Sequence, residues 1–150
     1  MTVPSGRRRR EDHAGYIKAV RHELETNDIH VPNVQVSIAA GGRREASLNL
    51  RADREAFAEH LPDSAMAYWD ENNGWSASAR RDGMISRVHK GLGALPTPQD
   101  VTAWLIVLLT HPELAPSYED HPFRNHTTSD PDFERQLLYR GQVDLPDSRP

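Results

Sequence analysis

Histidine and carboxylate crowd one stretch of this 150-residue chain: His111, Glu113, Glu119, Asp120, His121 and His126 fall within sixteen residues. All six are ligand types for zinc or a similar ion. A metal-binding helix spaces its histidines three or four apart, so that both meet the ion from one face. His121 and His126 are five apart, with Pro122 between them. Ligand types without ligand spacing read as a solvated or hydrogen-bonded segment, so no metal site is expected. His121 and His126 are kept as candidate acid-base groups.

Two other groupings carry potential chemistry. Asp70 and Glu71 place two carboxylates at a turn tip, but adjacent residues in a hairpin loop point apart. The ordinary role of an aspartate there is to accept turn amide hydrogen bonds. Asp70 becomes an acid-base candidate only inside a cleft that shifts its pKa. The run Arg7, Arg8, Arg9 and Arg10 could pair with the phosphates of a polyanion, although a solvated basic arm with no partner is the preferred reading.

Much chemistry is excluded outright. The chain has no cysteine, which removes disulfides, thiolate nucleophiles and thiolate metal sites. It contains no G-x-S-x-G, H-E-x-x-H or P-loop, and Gly91-Leu92-Gly93 lacks the third glycine of a dinucleotide fingerprint. No motif calls for a cofactor. Net charge is −4, and all of the excess lies in residues 113–150, which hold four Lys/Arg against eight Asp/Glu. The rest of the chain is balanced, without the basic excess expected of a nucleic-acid binder. The first twelve residues lack the apolar core of a secretory signal, and the longest apolar run, Trp104 to Leu109, is too short to span a bilayer. A cytoplasmic setting is expected.

The elements that must position these groups are clearer than the chemistry. The stretch AMAYWDENNGWSASAR, residues 65–80, reads as a β-hairpin, because side chains alternate faces along a strand and paired residues share one. Trp69 facing Trp75 sets Ala67 against Ala77 and Ala65 against Ala79, an apolar face. The other face carries Met66, Tyr68, Asp70, Ser76, Ser78 and Arg80. The loop is then Glu71, Asn72 and Asn73, with a left-handed residue that Asn tolerates. The tryptophans could stack on a planar ligand, but on an alanine-lined face they belong to the core.

Tyr16, Ile17, Val20 and Leu24 recur at helical spacing between His13 and Thr26, and Asn27 to Pro32 make a turn. Val34, Val36, Ile38 and Ala40, then Ala46, Leu48 and Leu50, mark two half-buried strands around Gly41-Gly42. Pairing Val36 with Leu48, through an odd loop or a bulge around Gly41 to Arg43, keeps apolar residues on one face. A short helix over Asp53 to Leu61, capped by Asp53, and a strand over Met84 to Lys90 follow. Thr97-Pro98-Gln99-Asp100 is a strong helix start, leading an apolar helix of about thirteen residues that ends at His111-Pro112.

The expected fold class is α+β: an antiparallel sheet of about five strands with helices packed on it, in the order αββαβββα. Residues 1–12 form a disordered basic arm and 13–111 a single domain. Residues 112–150 form a Pro-rich acidic tail, irregular apart from one short helix through Phe133, Leu137, Leu138 and Tyr139 after Ser129-Asp130-Pro131. The apolar helix needs cover on its far side. A second copy of the chain is ranked just ahead of the tail for that role.

The element order is similar to that of roadblock or longin-like domains, a likeness of topology alone. The opening helix with Gly15-Tyr16, the stretch from Pro62-Asp63 to Trp69-Asp70-Glu71-Asn72-Asn73-Gly74-Trp75, and Leu95-Pro96-Thr97-Pro98 resemble a family of small actinobacterial domains. That resemblance covers about residues 13 to 110 and implies no known activity. Its WDExxGW core is its most specific part.

The function ranked first is a non-enzymatic protein-interaction or regulatory module, with Tyr68, Trp104, Phe123 and Tyr139 as binding candidates and a protein partner or homodimer as its complement. Second is a small enzyme or accessory protein acting in a pocket between sheet and tail through its histidines. Nucleic-acid contact through Arg7 to Arg10 ranks third, and no membrane partner is expected.

Overall fold

The computed structural model describes residues 13–57, 61–89, 93–114 and 122–143. The basic arm, Glu119, Asp120 and His121 lie outside the described residues, as do the last residues of the tail. Helix α1 (Ala14–Thr26) leads into strands β1 (Ile29–Ile38), β2 (Arg44–Ala52), β3 (Ser64–Asp70), β4 (Gly74–Arg81) and β5 (Met84–His89). Helix α2 (Pro98–Thr110), a 3-10 turn (Pro112–Leu114) and helix α3 (Pro131–Val143) complete the order. The fold is α+β, and its sheet is an antiparallel meander in the spatial order β1-β2-β3-β4-β5.

The central hairpin forms as its alternation requires. Trp69 pairs with Trp75, Ala67 with Ala77 and Ala65 with Ala79, around the loop Glu71, Asn72 and Asn73. The left-handed residue is Gly74, at φ +78°, instead of an asparagine. A Cβ there would stand 2.6 Å from the Gly93 carbonyl oxygen, so glycine also lets the loop before α2 approach the turn. That loop then helps to satisfy the two indoles of the hairpin. Trp69 Nε1 donates to Ala94 O at 2.7 Å. Trp75 Nε1 donates to Tyr16 Oη, which itself donates to Pro96 O.

Three local expectations are corrected. Strand β1 begins at Ile29, not after Pro32, with an irregularity between His30 and Asn33 that absorbs the proline. Leu48 pairs with Val34, and Val36 with Ala46, one pair away from the expected register. The face is as expected, since both registers set apolar against apolar. The loop Ala39 to Arg43 is odd and is closed by Ala39 N donating to Arg43 O. The helix expected from Asp53 appears as a turn: Ala56 and Phe57 amides reach Asp53 O, and Glu55 N reaches Asp53 Oδ1. Residues 58–60 lie outside the described residues.

Helices cover one face of the sheet, the face that carries Leu48, Ala67, Trp69, Trp75 and Ala77, all buried. Helix α1 packs against β1, α2 and α3. Thr97 Oγ1 caps α2 by accepting from Asp100 N. No cation lies in the last turn of α2, and Arg81 supplies one by donating to Leu108 O and Leu109 O, complementing the negative end of the helix. Val101, Trp104, Leu105, Leu108 and Leu109 are buried, so most of the apolar surface of α2 is covered within one chain. Within the chain that cover comes from α1 and the sheet.

Helix α3 docks on α1. Asp130 Oδ1 caps it by accepting from Phe133 N, and Phe133, Leu137 and Gly141, four apart, form its buried stripe. At Gly141 the two backbones nearly touch: a Cβ there would lie 2.8 Å from Gly15 C and 2.9 Å from Tyr16 N. The opposite side of α3 exposes Leu138 and Tyr139.

Candidate functional site

No described helix crosses the second face of the sheet. Cross-strand pairing aligns Gln35, Ser47, Tyr68 and Ser76 in one row there, one residue from each of β1 to β4. The row toward the hairpin tips is Ser37, Glu45 and Asp70. The row on the other side is Asn33, Asn49, Met66, Ser78 and Arg87. Serines around one tyrosine leave space above the strands, a hollow of about 460 Å³ bounded by Arg43, Glu45, Tyr68, Asp70, Asn73 and Arg87. A second hollow, also about 460 Å³, lies toward the opposite strand ends, against Asn49, Arg51, Arg54, Asp63 and Met66.

The large side chains of this face are held in place. The Arg87 guanidinium lies 5.6 Å from the Tyr68 ring centroid and donates to Ser76 Oγ at 3.4 Å. Tyr68 Oη donates to Met66 Sδ at 3.3 Å. The acids near the tips are engaged: Glu45 pairs with Arg43 at 3.1 Å. Asp70 Oδ1 accepts from the Asn72 and Asn73 amides, both at 2.8 Å. Asp70 therefore has the turn-capping role its position suggests. Its neighbour Glu71 points the other way, into the protein.

That second direction leads to a buried ion cluster at the end of the core face. Arg44 and Glu71 pair at 2.7 Å, and Arg44 N donates to the same carboxylate. Glu134 on α3 takes two further donors of Arg44, and Arg124 Nη1 donates to Glu71 at 2.8 Å. Phe133 lies beneath both guanidiniums, 3.9 Å from Arg124 and 5.8 Å from Arg44. Burial alone would raise the Glu71 pKa, but hydrogen bonds from Arg44 hold it below its ordinary value. Burial would likewise lower Arg44, and its bonds to Glu134 and Glu71 outweigh that. Each charge is met by another, and the cluster fastens the segment around α3 to the sheet. His13 lies close by, stacked on Trp69, with its Nε2 bonded to Glu45 O. Burial lowers its pKa.

Residues 16–106 match the model of a family described as of unknown function. The chain belongs to that family, DUF6292. No curated protein and no solved structure matches it. The DUF6292 match contains α1 from Tyr16 onward, the whole sheet and the bulk of α2, so it includes the open face together with Arg44 and Glu71. Arg124, Glu134 and α3 lie beyond it.

Among the described candidates from sequence, only Tyr68 and Asp70 border the open face. Trp104 is buried in the core, its indole N–H without a partner among the described residues. Phe123 borders a separate hollow of about 390 Å³ between residues 93–95 and the tail, beside Arg124, Asp130, Phe133 and Gln136. No histidine lines that hollow among the described residues. Tyr139 is exposed on α3. His126 bridges two turns, through Asn72 Nδ2 at 3.0 Å and Gly41 O at 3.1 Å. His121 and Arg7 to Arg10 lie outside the described residues. His111 and Glu113 are both exposed, 3.8 Å apart, and no group of three metal-ligand side chains occurs among the described residues. No described helix is long and apolar enough to cross a membrane.

The ion cluster was missed from sequence, although one signal was there. Arg44 opens the inward-facing alternation Arg44, Ala46, Leu48, Leu50, and an arginine at an inward position requires a buried partner.

Proposed function

We propose that this protein is a non-enzymatic interaction module that holds a protein partner on the open face of its sheet. The observation that carries the reading is the second sheet face itself: among the described residues, five strands are covered by helices on one side and show on the other two hollows set among serines, amides, Met66, Tyr68 and arginines. Tyrosine, methionine and arginine are enriched at protein interfaces, and Tyr68 and Arg87 are already ordered by their mutual contact, which lowers the entropic cost of binding. The described carboxylates nearest the hairpin tips are committed to Arg43 and to turn amides, which suits the face to holding a ligand more than to transforming one.

A photo-crosslinking residue at Ser78, in the middle of the face, tests the reading against one at Ala103, on the exposed side of α2. In the source cell, Ser78 should yield a discrete crosslinked protein that Ala103 does not. Equal crosslinking at both positions, or none at Ser78, would count against it.

A further inference from the structure

The reading above leaves the chemistry of the partner open, and the charges of the face narrow it. Arg51, Arg80 and Arg87 occupy outward positions of β2, β4 and β5, and Arg54 stands beside Arg51 at the second hollow. Among the described residues none of the four has a carboxylate partner, and Arg87 is held by Ser76 and the Tyr68 ring. The acids facing them are fewer and mostly committed. Glu45 is paired with Arg43, and Asp70 keeps its charge but spends its oxygens on the Asn72 and Asn73 amides, which leaves Asp63 as the one carboxylate of the two described hollows without a side-chain partner among the described residues.

Resting on that interaction-module reading, we infer that the open face receives an acidic polypeptide segment, its carboxylates set against Arg51, Arg54, Arg80 and Arg87. Carboxylates match the forked geometry of guanidinium donors. A second copy of this chain does not fit, because two such faces apposed would bring like charges together. Single-stranded nucleic acid fits less well. It is gripped through successive aromatic platforms, and among the described residues this face has only Tyr68.

The test is fluorescence anisotropy on the full chain, with a short labelled Glu/Asp-rich peptide, its Gln/Asn counterpart and a single-stranded oligonucleotide of equal charge. Two variants are compared with the parent: R51Q/R54Q/R80Q/R87Q, and R7Q/R8Q/R9Q/R10Q to remove the basic arm. Since all substituted positions on the sheet are at the surface, circular dichroism should show both variants folded. The acidic peptide should bind parent and arm variant alike, weaken as salt rises, and bind the sheet variant at least about tenfold more weakly. The inference is overturned if the sheet variant binds as the parent does, if removing the arm abolishes binding, if the Gln/Asn peptide binds equally, or if the oligonucleotide binds the face more tightly. A protein crosslinked at Ser78 that lacks an acidic segment would remove this inference and leave the interaction-module reading intact.

Discussion

Arg44 and Glu71 form their ion pair out of reach of water, the guanidinium side chain 1% exposed and the carboxylate side chain 0%. Removing one partner of such a pair strands the other charge in the interior, at a cost of about 3–5 kcal/mol. Glu71→Gln should lower unfolding stability by about that amount in a urea titration. Adding Arg44→Met should recover part of the loss, because the guanidinium left with Glu134 as its one carboxylate among the described residues is then gone as well. A single variant within about 1 kcal/mol of the parent would mean that the pair is hydrated.

The crossing of α1 and α3 gives a second prediction. Gly141→Ala places a methyl group against the backbone of Gly15 and Tyr16, and neither backbone can yield as a flexible side chain would. The result should be a loss of about 1–3 kcal/mol, with faster hydrogen exchange across Pro131–Val143 and little change in β3 and β4. Unchanged exchange in α3 would show that the helices do not cross there.

Stability should fall with acid in two stages. Burial lowers the His13 pKa below its ordinary 6.5, so the unfolded chain binds that proton more readily and stability declines as pH drops below about 6.5. Glu71 is held below its ordinary 4.5. Its contribution is present above that value and is lost as pH falls through the lower, folded one. His13→Gln should remove the upper stage and Glu71→Gln should flatten the lower. Melting temperatures across about pH 3 to 7, a span that brackets both ordinary values, would check both. An unaltered profile in His13→Gln would contradict the first stage.

Trp75 fills the centre of the core face and donates to Tyr16 Oη. Trp75→Ala should cost about 3–5 kcal/mol through the cavity it leaves. A melting temperature equal to the parent's would reassign Trp75 from the core to a surface role.

The hairpin of β3 and β4 was legible in the sequence because alternation, turn residues and tryptophan placement all agree on one register. The β1–β2 register was not, since sliding by one pair still sets apolar against apolar. Burial chooses the face, and the loop closed between Ala39 and Arg43 chooses the register. The cap at Thr97 and the start of α3 at Asp130 and Pro131 could be read for the same reason as the hairpin, being local chemistry. The ion cluster could not be, because Arg44 meets Glu134 across ninety residues, a separation at which sequence pattern carries no geometry. The open face was half legible. Its residues were identified along β3 and β4, but that no described helix covers them depends on how the whole chain packs.

The central claim, that a partner sits on the open sheet face, is most directly tested by hydroxyl-radical footprinting of the full chain with and without the protein captured at Ser78. Met66, Tyr68 and Ile85 share that face, while Leu138 and Tyr139 are exposed on α3. The account predicts that the partner lowers oxidation at Met66, Tyr68 and Ile85 and leaves Leu138 and Tyr139 as reactive as in the free protein. Protection confined to Leu138 and Tyr139 would contradict it and move the interface to α3.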